Sequence, residues 1–366
     1  MIRKINRVIQ DLLRPIRLQM GRKIWDKKTE NHEELIKNNK VDMGRVKSIL
    51  FLRYDGKIGD MVINTLMFRE IQKRYPNVKI GVVARGAAKD IIKFNPYVNE
   101  IYDYEKGKER ELAKEIAEKN YDVLIDFSEM LRVNQMKFIN LCKAKINIGL
   151  DKEDWQIFDI SVTENKDYKN TDHITQRYGA YLKKIGIDDF DKKYDVFLGK
   201  NIETRNMDIG IVLNPYGASK HKHFNKETLK FIIEILNSLN KNATLIYSPD
   251  KYSELEEFVR ENKDLKVYLP QNIKSILDSS EIIKNSDGVI TPDTSIVHIA
   301  SAFNKKIISI YPPNGGKYGV DHLVWGPLDL KNEMLFCKSS TGIGEEININ
   351  TFDKSQMKER ILGEMN

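Results

Sequence analysis

Asp293-Thr294-Ser295-Ile296-Val297-His298 joins the end of an apolar run, Gly288-Val289-Ile290-Thr291, to residues with the pattern of a helix's first turn. The free backbone N–H groups and positive dipole end of a helix favour an anion, and the hydroxyls of Thr294 and Ser295 add donors where a phosphate would rest. His298 follows Thr294 by four residues, which places both on one helix face. The competing role is structural, with Asp293 or Thr294 as a cap and His298 as a satisfied core histidine. Asp60 is the second candidate. It follows Gly56-Lys57-Ile58-Gly59 at the mouth of a helix just beyond an apolar strand, where open α/β sheets keep their reactive groups. A carboxylate there suits proton abstraction from a hydroxyl nucleophile, or else simply caps its helix.

A third cluster is Leu213-Asn214-Pro215-Tyr216-Gly217-Ala218-Ser219, followed by Lys220-His221-Lys222-His223-Phe224. The small residues around Asn214, Gly217 and Ser219 let backbone approach a ligand, and Lys222 offers a point charge to a phosphate or departing diphosphate. A basic surface loop is the alternative. Ser248-Pro249-Asp250 ends a further strand, with Glu254 near the next helix start, placed either to accept bonds from ribose or sugar hydroxyls or to cap a first turn. No G-x-G-x-x-G turn or Walker lysine is present, so neither a dinucleotide-dependent dehydrogenase nor a P-loop ATPase is supported. No Asp-x-Asp motif stands at a strand end, so no metal is expected. Cys142 and Cys337 lack the spacing of a disulfide framework or a zinc site.

The elements that must position these residues alternate strand and helix. Short apolar strands are predicted at Ser48–Arg53, Lys79–Ala84, Glu100–Tyr104, Tyr121–Phe127 and Lys145–Leu150, with helices between them such as Met61–Tyr75 and Lys108–Lys119. A second series has strands at Asp208–Asn214, Ala243–Ser248, Lys266–Leu269, Asp287–Thr291 and Lys306–Tyr311. Its helices are predicted at Lys226–Leu239, Tyr252–Glu261, Ile273–Asn285 and Ser295–Phe303, after a connecting helix His173–Ile185. The pattern is α/β: two doubly wound, Rossmann-like domains facing a cleft. The predicted division is a basic amphipathic extension over 1–47, a first domain over 48–190, a second over 191–345 and a carboxyl-terminal helix within 346–366.

Charge sharpens the choice of partner. Of 60 Lys and Arg against 53 Asp and Glu, residues 1–47 hold 13 and 6, leaving 47 of each in the remainder. The whole excess of +7 therefore lies in the extension, where Ile2, Ile5, Ile9, Leu12, Leu13, Ile16 and Met20 recur near helical spacing among Arg and Lys. Such a segment suits an anionic membrane surface, or docks on the protein's own body, and Pro15 is expected to interrupt it. A nucleic-acid partner is disfavoured, because that requires cations spread along a groove with interleaved aromatics. No apolar run approaches the roughly 18 residues of a membrane span, and the first residues develop no signal-peptide core. The reading is cytoplasmic, with peripheral contact at the inner membrane's cytoplasmic face.

Taken in order, Arg53-x5-Gly59-Asp60, Asn-Pro-x-Gly-Ala-Ser-Lys with Lys222, Asp293-Thr-x3-His298-x-Ala300-x-Ala302 and Trp325-Gly326-Pro327 resemble the heptosyltransferases of glycosyltransferase family 9. The similarity runs from about Ser48 to Pro327. It implies the GT-B fold and an inverting, metal-independent transfer of heptose from ADP-heptose onto lipopolysaccharide or lipooligosaccharide core. By the same resemblance Asp60 is the general base and Lys222 neutralises the diphosphate. Asn214, Gly217, Ser219, Ser248, Glu254, Asp293, Thr294, Ser295 and His298 then form the donor pocket, and no cofactor is implied beyond the nucleotide sugar and a glycolipid or glycan acceptor. The chain departs from the family where Ser295 replaces a usual Gly, where Phe224-Asn225 replaces Trp-Pro, at Leu66-Met67, and in the longer Pro312–Leu323 segment with Gly315-Gly316. Rival readings are a nucleotide-sugar epimerase on the same scaffold and a non-catalytic nucleotide- or nucleic-acid-binding protein.

Overall fold

A computed structural model describes residues 2–28, 30–199, 208–217, 219–314, 319–328, 333–338 and 347–365, with side chains from residue 13 onward. The first part of the chain runs α1 (Ile2–Trp25), a hairpin of β1 (Ile36–Lys37) and β2 (Lys40–Val41), β3 (Ser48–Arg53), α2 (Ile58–Arg74), β4 (Lys79–Ala84), α3 (Ala88–Ile92), β5 (Glu100–Asp103), α4 (Glu109–Glu118), β6 (Val123–Asp126), α5 (Val133–Cys142), β7 (Ile146–Leu150), β8 (Ile160–Val162) and α6 (Ile174–Lys184). The second part runs β9 (Ile211–Leu213), α7 (Lys226–Ser238), β10 (Ala243–Leu245), α8 (Tyr252–Glu261), β11 (Val267–Tyr268), α9 (Ile276–Lys284), β12 (Gly288–Pro292), α10 (Ser295–Ala302), β13 (Lys306–Tyr311), α11 (Asp321–Val324), β14 (Glu333–Phe336) and α12 (Lys354–Glu364).

Two six-stranded sheets result, in the orders β5-β4-β3-β6-β7-β8 and β11-β10-β9-β12-β13-β14, and all their strand pairs are parallel. Strands covered by helices on both faces must be apolar throughout, and Ile49, Leu50, Phe51 and Leu52 of β3 are all buried, as is every residue of β12. Both sheets reverse their winding at one place, between β3 and β6 and between β9 and β12. The crevice beyond the carboxyl ends of those strands is where a doubly wound sheet binds ligand. Asp60 and Asn214 each follow one such end, and Asp293 follows β12.

Three strands match the sequence expectation end to end, at Ser48–Arg53, Lys79–Ala84 and Lys306–Tyr311, while others are shorter, as at β6 and β9. Helix α5 was not anticipated. Its Met136, Phe138, Ile139 and Cys142 are buried on more than one side, because α1 covers it as well as the sheet, so it has no single apolar stripe to read. Pro15 does not interrupt α1, which continues unbroken across it. Residues 18–25 are held by docking, with Leu18 and Trp25 packed on the α4–α5 side of the first domain and the Arg22 guanidinium 4.3 Å above the Trp155 ring. That anchorage offsets the lost helical hydrogen bond. Gly315-Gly316 lie outside the described residues.

Candidate active site

On the first domain the site begins where β3 ends. Arg53 is buried there, its Nη2 2.7 Å from Asp60 Oδ1 and 3.2 Å from Asp55 Oδ2, and its guanidinium 5.2 Å from the Phe127 ring centroid. Gly56 turns the chain with φ of +74°, a conformation costly for any residue with a Cβ. The turn delivers Asp60 to the first turn of α2. Burial opposes the charge on Arg53, but Tyr178, Asp60 and Asp55 outweigh it and keep the guanidinium cationic. Next to β3, the segment after β6 is pinned by Lys152, whose buried ammonium donates to Ser128 O at 2.8 Å, to Glu129 O at 3.0 Å and to Leu150 O. A pocket of about 190 Å³ opens beside Asp60, lined by Arg53, Phe127, Arg177, Tyr178, Tyr181 and Trp325 among others.

The second domain contributes the facing wall. Thr294 caps α10, its hydroxyl accepting from Ile296 N at 3.2 Å, as the sequence pattern predicts for a helix start. Asn214 Nδ2 donates to Thr291 Oγ1 at 3.0 Å and lies 3.3 Å from Thr294 Oγ1, tying the end of β9 to that cap. Lys222 Nζ donates to Asp293 Oδ2 at 2.7 Å, an ion pair joining residues 71 apart in the chain. The loop can close on Lys222 because Gly217 has no side chain, since a Cβ there would lie 2.4 Å from Lys222 Cβ.

The two domains meet at the mouths of α2 and α10. A Cβ on Gly59 would stand 2.8 Å from His298 Cδ2 and 3.4 Å from Ser295 Cα, so the helices approach only because residue 59 is glycine. His298 is buried, with Trp325 and Tyr194 against its ring at 6.5 and 6.2 Å between centroids. Its Nδ1 has no hydrogen-bond partner among the described residues. Burial, reinforced by the charge of His173, pushes its pKa down to about 4 against the opposing pull of Asp60 and Asp293, so the ring is neutral at neutral pH. His173 caps α6 and reaches across to Gly326 O, 3.1 Å from its Nε2.

Between the domains lies a cleft of about 870 Å³. Asp60, Asn214, Gly217, Ser248, Asp293, Thr294, Ser295 and His298 all line it. Three expected residues stand back from it. Lys222 sits behind Asp293, Ser219 starts a surface 3₁₀ turn, and Glu254 is exposed and ion-paired with Lys251 at 2.8 Å. Lys57, Tyr216, Lys274, Asp321 and Trp325 also line the cleft and were not singled out from the sequence as site residues. Lys57 and Trp325 carried a signal, the first between the two turn glycines and the second in the Trp-Gly-Pro element. Lys274 and Asp321 carried none. Among the described residues, no three His, Cys, Asp or Glu side chains gather as a set able to hold an ion, and no helix is long and apolar enough to cross a membrane.

Two doubly wound parallel sheets facing one cleft define the two-domain GT-B class of fold. Residues 109–328 match the model of glycosyltransferase family 9 (heptosyltransferase), and the chain belongs to that family and is a glycosyltransferase. Over 302 residues it is 25% identical to a putative lipopolysaccharide heptosyltransferase 4 of Escherichia coli K12, covering 80% of this chain and 82% of that protein. The fold is similar to that of a family 9 glycosyltransferase from Veillonella parvula, with a TM-score of 0.71 and 16% identity over 87% of this chain and 97% of the other. It is also similar to an E. coli heptosyltransferase solved with ADP-2-deoxy-2-fluoro heptose, with a TM-score of 0.65 and 15% identity over 86% and 99% of the two chains. The two-domain GT-B arrangement expected from the sequence is the arrangement found.

Proposed function

We propose that the protein transfers heptose from ADP-heptose to a lipopolysaccharide or lipooligosaccharide core or a related glycan, with inversion and without a metal ion. The observation that carries this reading is the placement of Asp60, held by Arg53, across one cleft from the α10 start at Thr294. The acceptor hydroxyl gives its proton to Asp60 as its oxygen bonds to the anomeric carbon from the face opposite the diphosphate. The anomeric C–O bond breaks, and ADP departs. Charge growing on the diphosphate meets the α10 N–H groups and the Thr294 and Ser295 hydroxyls, with the Lys222 ammonium offsetting the Asp293 carboxylate from behind. These fixed donors take the part a divalent cation plays elsewhere. The neutral His298 ring adds a buried polar atom to the donor wall, and Ser248 and Tyr216, which line the same cleft, are the residues we assign to the nucleoside.

Support for the adenine nucleotide comes from the solved relative that holds an ADP-sugar, and support for the acceptor class from the lipopolysaccharide relative. Calorimetry with ADP, UDP, GDP and CMP in EDTA tests the donor. Selective binding of ADP is expected; selective binding of another nucleotide would replace the donor, and retention of binding only with added metal would remove metal independence.

A further inference from the structure

Helix α1 has two apolar faces, and the fold uses only one. Leu18, Gly21, Arg22 and Trp25 face the body of the first domain: a Cβ on Gly21 would touch Val133, Trp25 O accepts from Asn140, and Arg22 stacks on Trp155. Leu13, Ile16, Met20 and Ile24 are 38, 55, 61 and 53% exposed. At about 100° per residue these four fall within an arc of roughly 80°, and their centre lies about 145° around the helix from the docked face. Arg17 and Lys23, both exposed, flank the stripe on its two sides. An outward apolar stripe between cations is the pattern of a helix lying in a membrane interface, not of a helix that completes a core.

The direction of α1 places this stripe. Gly21 meets Val133, while Trp25 meets Lys137 and Asn140, so the two helices run alongside in the same sense. Residues 13–20 therefore extend past the start of α5, toward the carboxyl ends of the strands. There the segment between β6 and α5 carries Met130, 63% exposed, next to Glu129, which lines both the cleft and the smaller pocket beside Asp60. We propose that the outward face of α1, with Met130, is a docking surface for an anionic phospholipid bilayer, and that it seats the enzyme with the mouth of the Asp60 pocket at the lipid headgroups. The occupant follows from charge and shape: the extension holds the chain's whole +7 excess, and its apolar strip is narrow and exposed. The surface then serves the acceptor side of the proposed reaction by bringing the pocket to a lipid-anchored glycan. The docking itself stands on the helix geometry and needs no assumption about the sugar.

Flotation with lipid vesicles containing about 30 mol% phosphatidylglycerol, against pure phosphatidylcholine vesicles, tests it. The full chain is expected to float with the anionic vesicles, weakly with the neutral ones, and to be released by high salt. The outward pair Ile16→Glu with Met20→Glu should lower anionic-vesicle binding about tenfold or more while leaving the melting temperature unchanged. Arg17→Glu with Lys23→Glu is a second variant that keeps the apolar stripe, and it should abolish the preference for anionic lipid. Equal flotation of wild type and variants overturns the proposal. So does a wild type that stays in solution, including one whose stripe turns out to join two copies in a dimer that Met20→Glu dissolves. Since the assay contains no sugar donor, its failure leaves the transferase reading untouched, and failure of sugar transfer leaves the docking result standing.

Discussion

Arg53 Nη2 and Asp60 Oδ1 stand 2.7 Å apart at the carboxyl end of β3, the cation buried and the carboxylate open to the cleft. The contact fixes the orientation of the carboxylate at the cleft wall. Replacing Asp60 with Asn keeps the size and removes the basicity. Turnover should fall by about 10²–10⁴-fold, the usual contribution of a positioned base, while ADP affinity measured by calorimetry stays within a factor of a few.

Arg53 acts through Asp60. With Arg53→Met the carboxylate loses the cation that orients it, so kcat should fall by about tenfold or more while ADP affinity stays within a factor of a few. Arg53→Lys should restore part of that loss. A purely structural role would instead lower the melting temperature and ADP affinity together with turnover.

Lys222 is tested from the donor side. Lys222→Ala removes the cation behind Asp293 and leaves that carboxylate unpaired at the cleft wall. Both kcat and the donor KM should worsen, with a combined loss on the order of 10²-fold or more, comparable with loss of one electrostatic donor in other enzymes.

Gly59 holds the domains together by what it lacks. Gly59→Ala forces a Cβ to within 2.8 Å of His298 Cδ2, so the helices must separate or the ring must shift. Melting should drop by the equivalent of about 1–3 kcal/mol, typical of overpacking, and pairing it with His298→Ala should recover part of the loss.

The stability of the fold should also depend on His298 through pH. Its folded pKa near 4 lies below the ordinary 6.5, so the unfolded chain takes up the proton first as pH falls. Stability contributed by the neutral ring is present above about 6.5 and is lost as pH drops toward 4. The melting temperature of wild type should fall across that window, and the fall should be shallower in His298→Leu.

The parallel strands were legible because strands buried on both faces read as unbroken apolar runs, as at Ser48–Arg53 and Lys306–Tyr311. Asp60, Thr294 and His298 were legible because each stands at a strand-to-helix junction whose spacing is local. Other relationships need the assembled fold. The pairing of Lys222 with Asp293 depends on β9 lying next to β12, and the requirement for glycine at 59 appears only once α10 has packed there. Helix α5 hid its period beneath two coverings, and α1 ran through a proline that local rules treat as a stop.

The most direct test is acceptor-dependent release of ADP from ADP-heptose in the presence of EDTA, with the anomeric configuration of the product read by NMR and Asp60→Asn measured alongside. The account predicts release only when a core-type glycan acceptor is present, an inverted linkage in the product, and loss of both in the variant. Acceptor-independent consumption of the donor, a retained configuration, or an Asp60→Asn enzyme with wild-type turnover would contradict it.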